Sequence, residues 1–133
     1  MAQRQEIEPE FFERRDSMTM SADEFRDLAL GLPEVVESAH NKHPDFRLGG
    51  KVLATIGPDA KSGMVNLTPA QQEEIIEAEP RAYESFNGAW GKRGCTKIIF
   101  EHVLPATALS CLTQAWLKTA LATLHKRYPD LYE

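Results

Sequence analysis

The chain has 133 residues, 42% of them hydrophobic and 26% charged, a balance that belongs to a water-soluble globular protein. A folded chain of this length buries roughly 68% of the surface its unfolded form exposes, enough for one core without metal or disulfide staples and too little for two comfortable domains. Fifteen Lys and Arg against twenty Asp and Glu leave a formal charge of −5, which excludes a generally polycationic nucleic-acid coat and requires any polyanion site to be local.

The first 17 residues are dense in charge, with Ile7, Phe11 and Phe12 as their large apolar side chains, and residues 1–20 read as a leader to a domain over 21–133. Met18 and Met20 stand where a shorter translation product would begin. Charges at the N-terminus occupy the place of a signal peptide's apolar core, so a cytoplasmic protein is expected. The longest apolar runs, around Ile98 and from Ala106 to Leu112, fall far short of the about 20 residues that cross a bilayer, so no membrane partner is expected.

Ser21-Ala22-Asp23-Glu24 is a capping box that opens a helix, with Phe25, Leu28, Ala29 and Leu32 on one stripe and Gly31-Leu32-Pro33 as its stop. Val35 to His40 reads as a strand broken by Pro44, followed by Phe46 to Leu48, the Gly49-Gly50 turn, and an alternating strand Lys51 to Ile56. Val65 to Leu67 completes an antiparallel set. Thr68-Pro69-Ala70-Gln71 opens a second helix that Pro80 closes. Arg81 to Asn87 has no clear assignment. Ala89 to Gly94, two bases bracketed by glycines, fits a tight hairpin or loop with close backbone approach. Cys95 to Glu101 forms the last strand. Pro105 opens a closing helix whose stripe is Leu109, Leu112, Trp116, Ala120 and Leu124, running to Pro129. The pattern is α+β.

Four segments carry a family resemblance: Leu30-Gly31-Leu32-Pro33 with Glu34 and Glu37; His43 through Ala54; Ala89-Trp90-Gly91-Lys92-Arg93-Gly94 with Cys95-Thr96; and the final helix with Ala115-Trp116 at its middle. From about Ser21 to Tyr128 the chain resembles the MmcQ/YjbR-like proteins, small bacterial domains. The resemblance implies a CyaY/frataxin-like fold, an antiparallel sheet with helices packed on one face, and a double-winged mode of DNA binding. Cys95 departs from the pattern, which often has a large apolar residue after the second glycine of the Trp-Gly motif.

Exposed Lys and Arg on loops and strand edges meet phosphates, so Arg47, Lys51, Lys92, Arg93 and Lys97 are the candidate DNA contacts, with Trp90 placed to stack on a base or insert. The alternative is a protein-interaction or small-ligand module using the cleft between the sheet and the closing helix, with metal binding through the first helix as a third reading. An exposed apolar patch around Trp90 would favour that module, and a contiguous basic face would favour DNA. Asp23, Glu24, Asp27, Glu34 and Glu37 form the acidic stretch that a metal would use, although solvated helix acids explain it as well. His40, His43, Asp45 and His102 have metal-site or acid–base chemistry but not the spacing of a closed zinc site, and His125 suits a helix C-terminus. Cys95 and Cys111 have no C-x-x-C spacing and read as small core residues. No G-x-G-x-x-G, Walker A, H-E-x-x-H or G-x-S-x-G motif occurs, so neither an enzyme nor a cofactor is expected.

Overall fold

A computed structural model describes residues 20–40, 43–120, 127 and 129–131. The expectations for residues 1–19, for Leu124 and for His125 lie outside the described residues, as does the side chain of His40. In chain order the elements are α1 (Ala22–Leu30), β1 (Val36–His40), β2 (His43–Leu48), β3 (Lys51–Ile56), β4 (Ser62–Asn66), α2 (Pro69–Ala78), β5 (Tyr83–Ser85), α3 (Gly88–Lys92), β6 (Cys95–Ile99) and α4 (Pro105–Thr119), with a short 3₁₀ turn at Pro129–Leu131.

Both predicted capping boxes form. Glu24 N donates to Ser21 Oγ while Ser21 N donates to Glu24 Oε1, and Thr68 with Gln71 repeats the exchange at α2 behind Pro69, each satisfying donors that a helix start leaves orphaned. The strands form one sheet in the order β1-β2-β3-β4-β6-β5, and every pairing is antiparallel. The class is therefore α+β with an antiparallel sheet, as the pattern implied.

Alternation across the ladder sorts side chains into two faces. Phe46, Ala54, Val65, Thr96 and Ile98 point into the core with Leu48 and Ile56. A register shift after Phe46 makes β3 carry one extra residue, so Leu53 and Ala54 are both buried and the strict alternation expected of 51–56 is interrupted. The long helices cover this face: Phe25 of α1 packs against Phe46 and Phe100 at ring separations of 6.3 and 5.2 Å, and Trp116 of α4 is fully buried. Its Nε1–H donates to Pro33 O at 2.9 Å, tying α4 to the turn between α1 and β1. Met20, assigned to the leader, is buried in the same core.

Three local expectations are corrected and one unassigned stretch is resolved. Pro44 does not break the strand: it is the second residue of β2, opposite Ala39, a strand-start position where the missing N–H is tolerated. Arg81 to Asn87 contains a strand, β5, at the sheet edge beside β6. Ala89 to Gly94 is neither hairpin nor open loop but the short helix α3 and its exit. Its glycines serve close approach, as the sequence suggested: a Cβ on Gly91 would lie 1.7 Å from Phe86 O, and one on Gly94, at φ +111°, would lie 1.8 Å from Leu67 O. The closing helix ends at Thr119, short of Pro129, with Ala120 turned to extended backbone. Lys118 ties that last turn to the end of β4 by donating to Asn66 Oδ1 and Leu67 O at 2.8 and 2.9 Å. Its buried stripe is Ala108, Cys111, Leu112, Ala115 and Trp116, with Leu109 on the solvent side at 41% exposure.

Replacing Trp116 by Ala opens a cavity in the helix–sheet layer and strands the Pro33 carbonyl, so Trp116→Ala is expected to lower the unfolding free energy by about 3–5 kcal/mol. Urea unfolding followed by far-UV circular dichroism measures this, and a loss below about 1 kcal/mol contradicts the packing described.

Candidate functional site: the open sheet face

The face of the sheet away from the helical layer carries the residues that alternate with the core positions. One cross-strand row runs Ser38, Asp45, Thr55, Met64, Lys97 and Glu84. Arg47 and Val52 pair beside it on β2 and β3. Over this floor lies a groove of about 850 Å³ whose polar end includes His43, Asp45, Arg47, Asp59, Ser62 and Lys97. Val52, Thr55, Met64 and Phe86 continue into an adjoining hollow of about 640 Å³ that reaches Asn66, Asn87, Trp90 and Cys95. The wall on that side is the segment from Phe86 through α3, held against the sheet edge by the close approach at Gly91.

At the polar end Asp45 is only 2% exposed. A buried carboxylate needs a partner, and Arg47 supplies it in bidentate form, with Nε donating to Oδ1 at 3.1 Å and Nη2 to Oδ2 at 3.0 Å. The hydrogen bonds and charge of Asp45 raise the Arg47 pKa further above its ordinary value, so its charge is permanent. Arg47 Nη1 has no acceptor among the described residues. Lys97, at the far side of the row, lies 3.9 Å from Glu84, both side chains being substantially exposed; such a pair is worth little and is readily exchanged. His43 lines the same end, and its buried Nδ1 has no hydrogen-bond partner among the described residues. At the other end Trp90 is 65% exposed and Phe86 37% exposed, and the Arg93 guanidinium sits 5.5 Å from the centre of the Trp90 ring, within cation–π range.

The sequence-derived set is thus divided. Arg47 and Lys97 line the groove and Trp90 the adjoining hollow, Arg93 rests on Trp90, and the exposed Lys92 ends the same short helix. Lys51 pairs with Leu48, a core-side residue, and stays out of the groove. The cleft between the sheet and the closing helix is filled by the buried side chains of Leu112, Ala115 and Trp116. Sequence reasoning missed Phe86, which lay in the unassigned stretch, and missed Thr55 and Met64, whose only signal was their alternation with core positions.

The remaining candidates are accounted for elsewhere. Arg26 binds Glu37 and Asp23, Glu24 caps α1, and Arg127 pairs with Glu34. Among the described residues no three His, Cys, Asp or Glu side chains are grouped to hold a metal ion, and His102 lines a different groove from His43. Burial pushes the Cys111 thiol up to about 11 and raises that of Cys95; both are free and buried, the state of core cysteines rather than of nucleophiles.

A family model described as YjbR matches residues 30–118, a span that contains every residue named as lining the groove and its adjoining hollow. The chain belongs to the YjbR family. In structure this YjbR chain is similar to a Deinococcus radiodurans protein, DR2400, a crystal structure with a DUF419 domain, at a TM-score of 0.66 and 16% identity over 86% of this chain and 91% of that one; the likeness is one of fold. Among curated proteins none matches the chain. No helix among the described residues is long and apolar enough to cross a membrane.

The chain's two tryptophans are opposite in environment, which makes the site visible to quenching. Acrylamide is expected to quench an accessible and a shielded emission in the native protein, and Trp90→Phe to remove the accessible one. Retention of strongly quenched emission in that variant contradicts the placement of Trp90.

Proposed function

We propose that this YjbR-family protein is a non-enzymatic binding protein and that it takes up DNA on the open sheet face. The observation that carries the reading is the exposed Trp90, crossed by Arg93, at the mouth of a groove whose floor also presents Arg47 and Lys97. Adjacent exposed aromatics mark a binding surface more often than chance exposure does, and an aromatic ring beside cations is the combination that meets bases and phosphates together. The non-enzymatic reading is supported by buried, raised thiols and by an Asp45 carboxylate already held by Arg47.

The second reading, a protein-interaction or small-ligand module, is favoured by the apolar middle of the groove, where Val52, Met64 and Phe86 adjoin Trp90, and by the acidic partners of both floor cations. The two readings share the surface and differ in what neutralises the cations.

Fluorescence anisotropy of labelled DNA at low and at physiological salt tests the DNA reading. Each phosphate neutralised contributes about −0.7 (single strand) to −0.9 (duplex) to the slope of log K against log salt. Binding is expected to weaken with salt, and Lys92→Ala/Arg93→Ala to weaken it further and flatten the slope. No binding at low salt contradicts DNA as the ligand and leaves the second reading.

A further inference from the structure

We infer that the DNA form this groove takes is single-stranded, with an unpaired base against Trp90 and Phe86 and the adjoining backbone held by Arg47 and Lys97; the inference rests on the DNA-binding reading above. Size is the first reason. Spaces of about 850 and 640 Å³ are those of small-molecule sites, room for one or two nucleotides rather than for the side of a duplex.

Charge is the second reason. Non-specific duplex binding draws on many phosphate contacts, about 6–10 in strongly salt-dependent cases. Here Arg47 and Lys97 are the Lys and Arg side chains on the groove floor, each beside an acid, in a chain of net charge −5. These two partly neutralised cations, even with Lys92 and Arg93 at the rim, fall short of that number, so much of the affinity has to come from stacking, and stacking needs base faces that a duplex hides. Insertion between paired bases would first cost unstacking; an unpaired strand presents its bases without that cost.

Geometry is the third reason. The buried Asp45 occupies Nε and Nη2 of Arg47 and so fixes the guanidinium plane, leaving Nη1 to donate to a phosphate oxygen. Lys97 lies three strands from Asp45 along the cross-strand row, across Thr55 and Met64, about 14 Å at the usual strand spacing. A strand crossing the sheet would therefore meet a cation, an apolar floor and a second cation, with Trp90 and Phe86 flanking the middle. Among the described residues Glu84 is the acid ion-paired with Lys97, and at 3.9 Å it competes weakly.

The test is anisotropy at low salt with the full chain and its Trp90→Ala and Glu84→Gln variants, against a labelled oligothymidylate and a duplex of equal length. Both substituted side chains are more than half exposed, and thermal unfolding verifies that the variants fold. The single strand is expected to bind at least about tenfold tighter than the duplex. Trp90→Ala should weaken it about 5- to 150-fold, the range of one lost base–aromatic stack, without weakening the duplex in parallel. Glu84→Gln should strengthen it about two- to fivefold by releasing Lys97. Duplex binding as tight as single-strand binding, or single-strand binding indifferent to Trp90→Ala, overturns the inference and leaves the DNA reading standing. Failure of both DNA forms to bind overturns both. An unchanged affinity in Glu84→Gln overturns the role given to Lys97.

Discussion

The indole of Trp116 fixes the architecture on which the site depends. It is fully buried between helix and sheet, and its single polar atom is satisfied by the Pro33 carbonyl, so one side chain contributes apolar burial while pinning the closing helix to the turn that leads into the first strand. A buried indole N–H without an acceptor would cost about 1–3 kcal/mol, which makes this position of the helix distinctly preferred. With the helical layer committed to one face, the other face of a six-stranded sheet is left to solvent and to the short segment around α3.

That uncovered face is not an ordinary solvated one. A solvent-facing antiparallel surface is commonly polar, whereas here Val52, Met64, Phe86 and Trp90 interrupt the charges. Backbone contact explains how the aromatic wall is held in place: at Gly91 and Gly94 the chain approaches Phe86 and Leu67 more closely than any side chain would permit. The two glycines that flank Lys92 and Arg93 thus act on the position of Trp90 rather than on the bases themselves. The floor cations are restrained rather than free, Arg47 by a buried carboxylate and Lys97 by an exposed one, and this difference sets their roles. The first is a fixed directional donor; the second is a point charge that a ligand can recruit by displacing a weak partner.

Much of the fold was legible because local signals agreed with one another. Both capping boxes and the Gly49-Gly50 turn point to the elements found, and the segments carrying the family resemblance lie largely within the residues matched by the family model. What was illegible depended on tertiary contact. A strand as short as β5 forms because β6 offers it an unpaired edge, which no property of Tyr83-Glu84-Ser85 announces. The helix of Gly88–Lys92 contradicts glycine's propensity and exists where the backbone needs to approach Phe86. The end of α4 has neither Gly nor Pro to mark it, so periodicity carried the expectation beyond Thr119. Of the site, the cations and Trp90 were visible as residue types, but their grouping was not. Lys51 and Arg47 are four residues apart and fall on opposite sides of the ladder, because the two-residue Gly49-Gly50 turn pairs Lys51 with the core-side Leu48 and Arg47 with Val52.

The central claim is that the ligand surface is the open face and not the helical one, and the two tryptophans report on one face each. Nuclear magnetic resonance of the ¹⁵N-labelled protein, titrated with a short single-stranded oligonucleotide, measures this directly. The Trp90 indole N–H and the amides of Thr55, Met64 and Lys97 are expected to shift together, while the Trp116 indole N–H, held by Pro33, stays in place. Shifts confined to Trp116 and the exposed side of α4, with Trp90 unmoved, would contradict it.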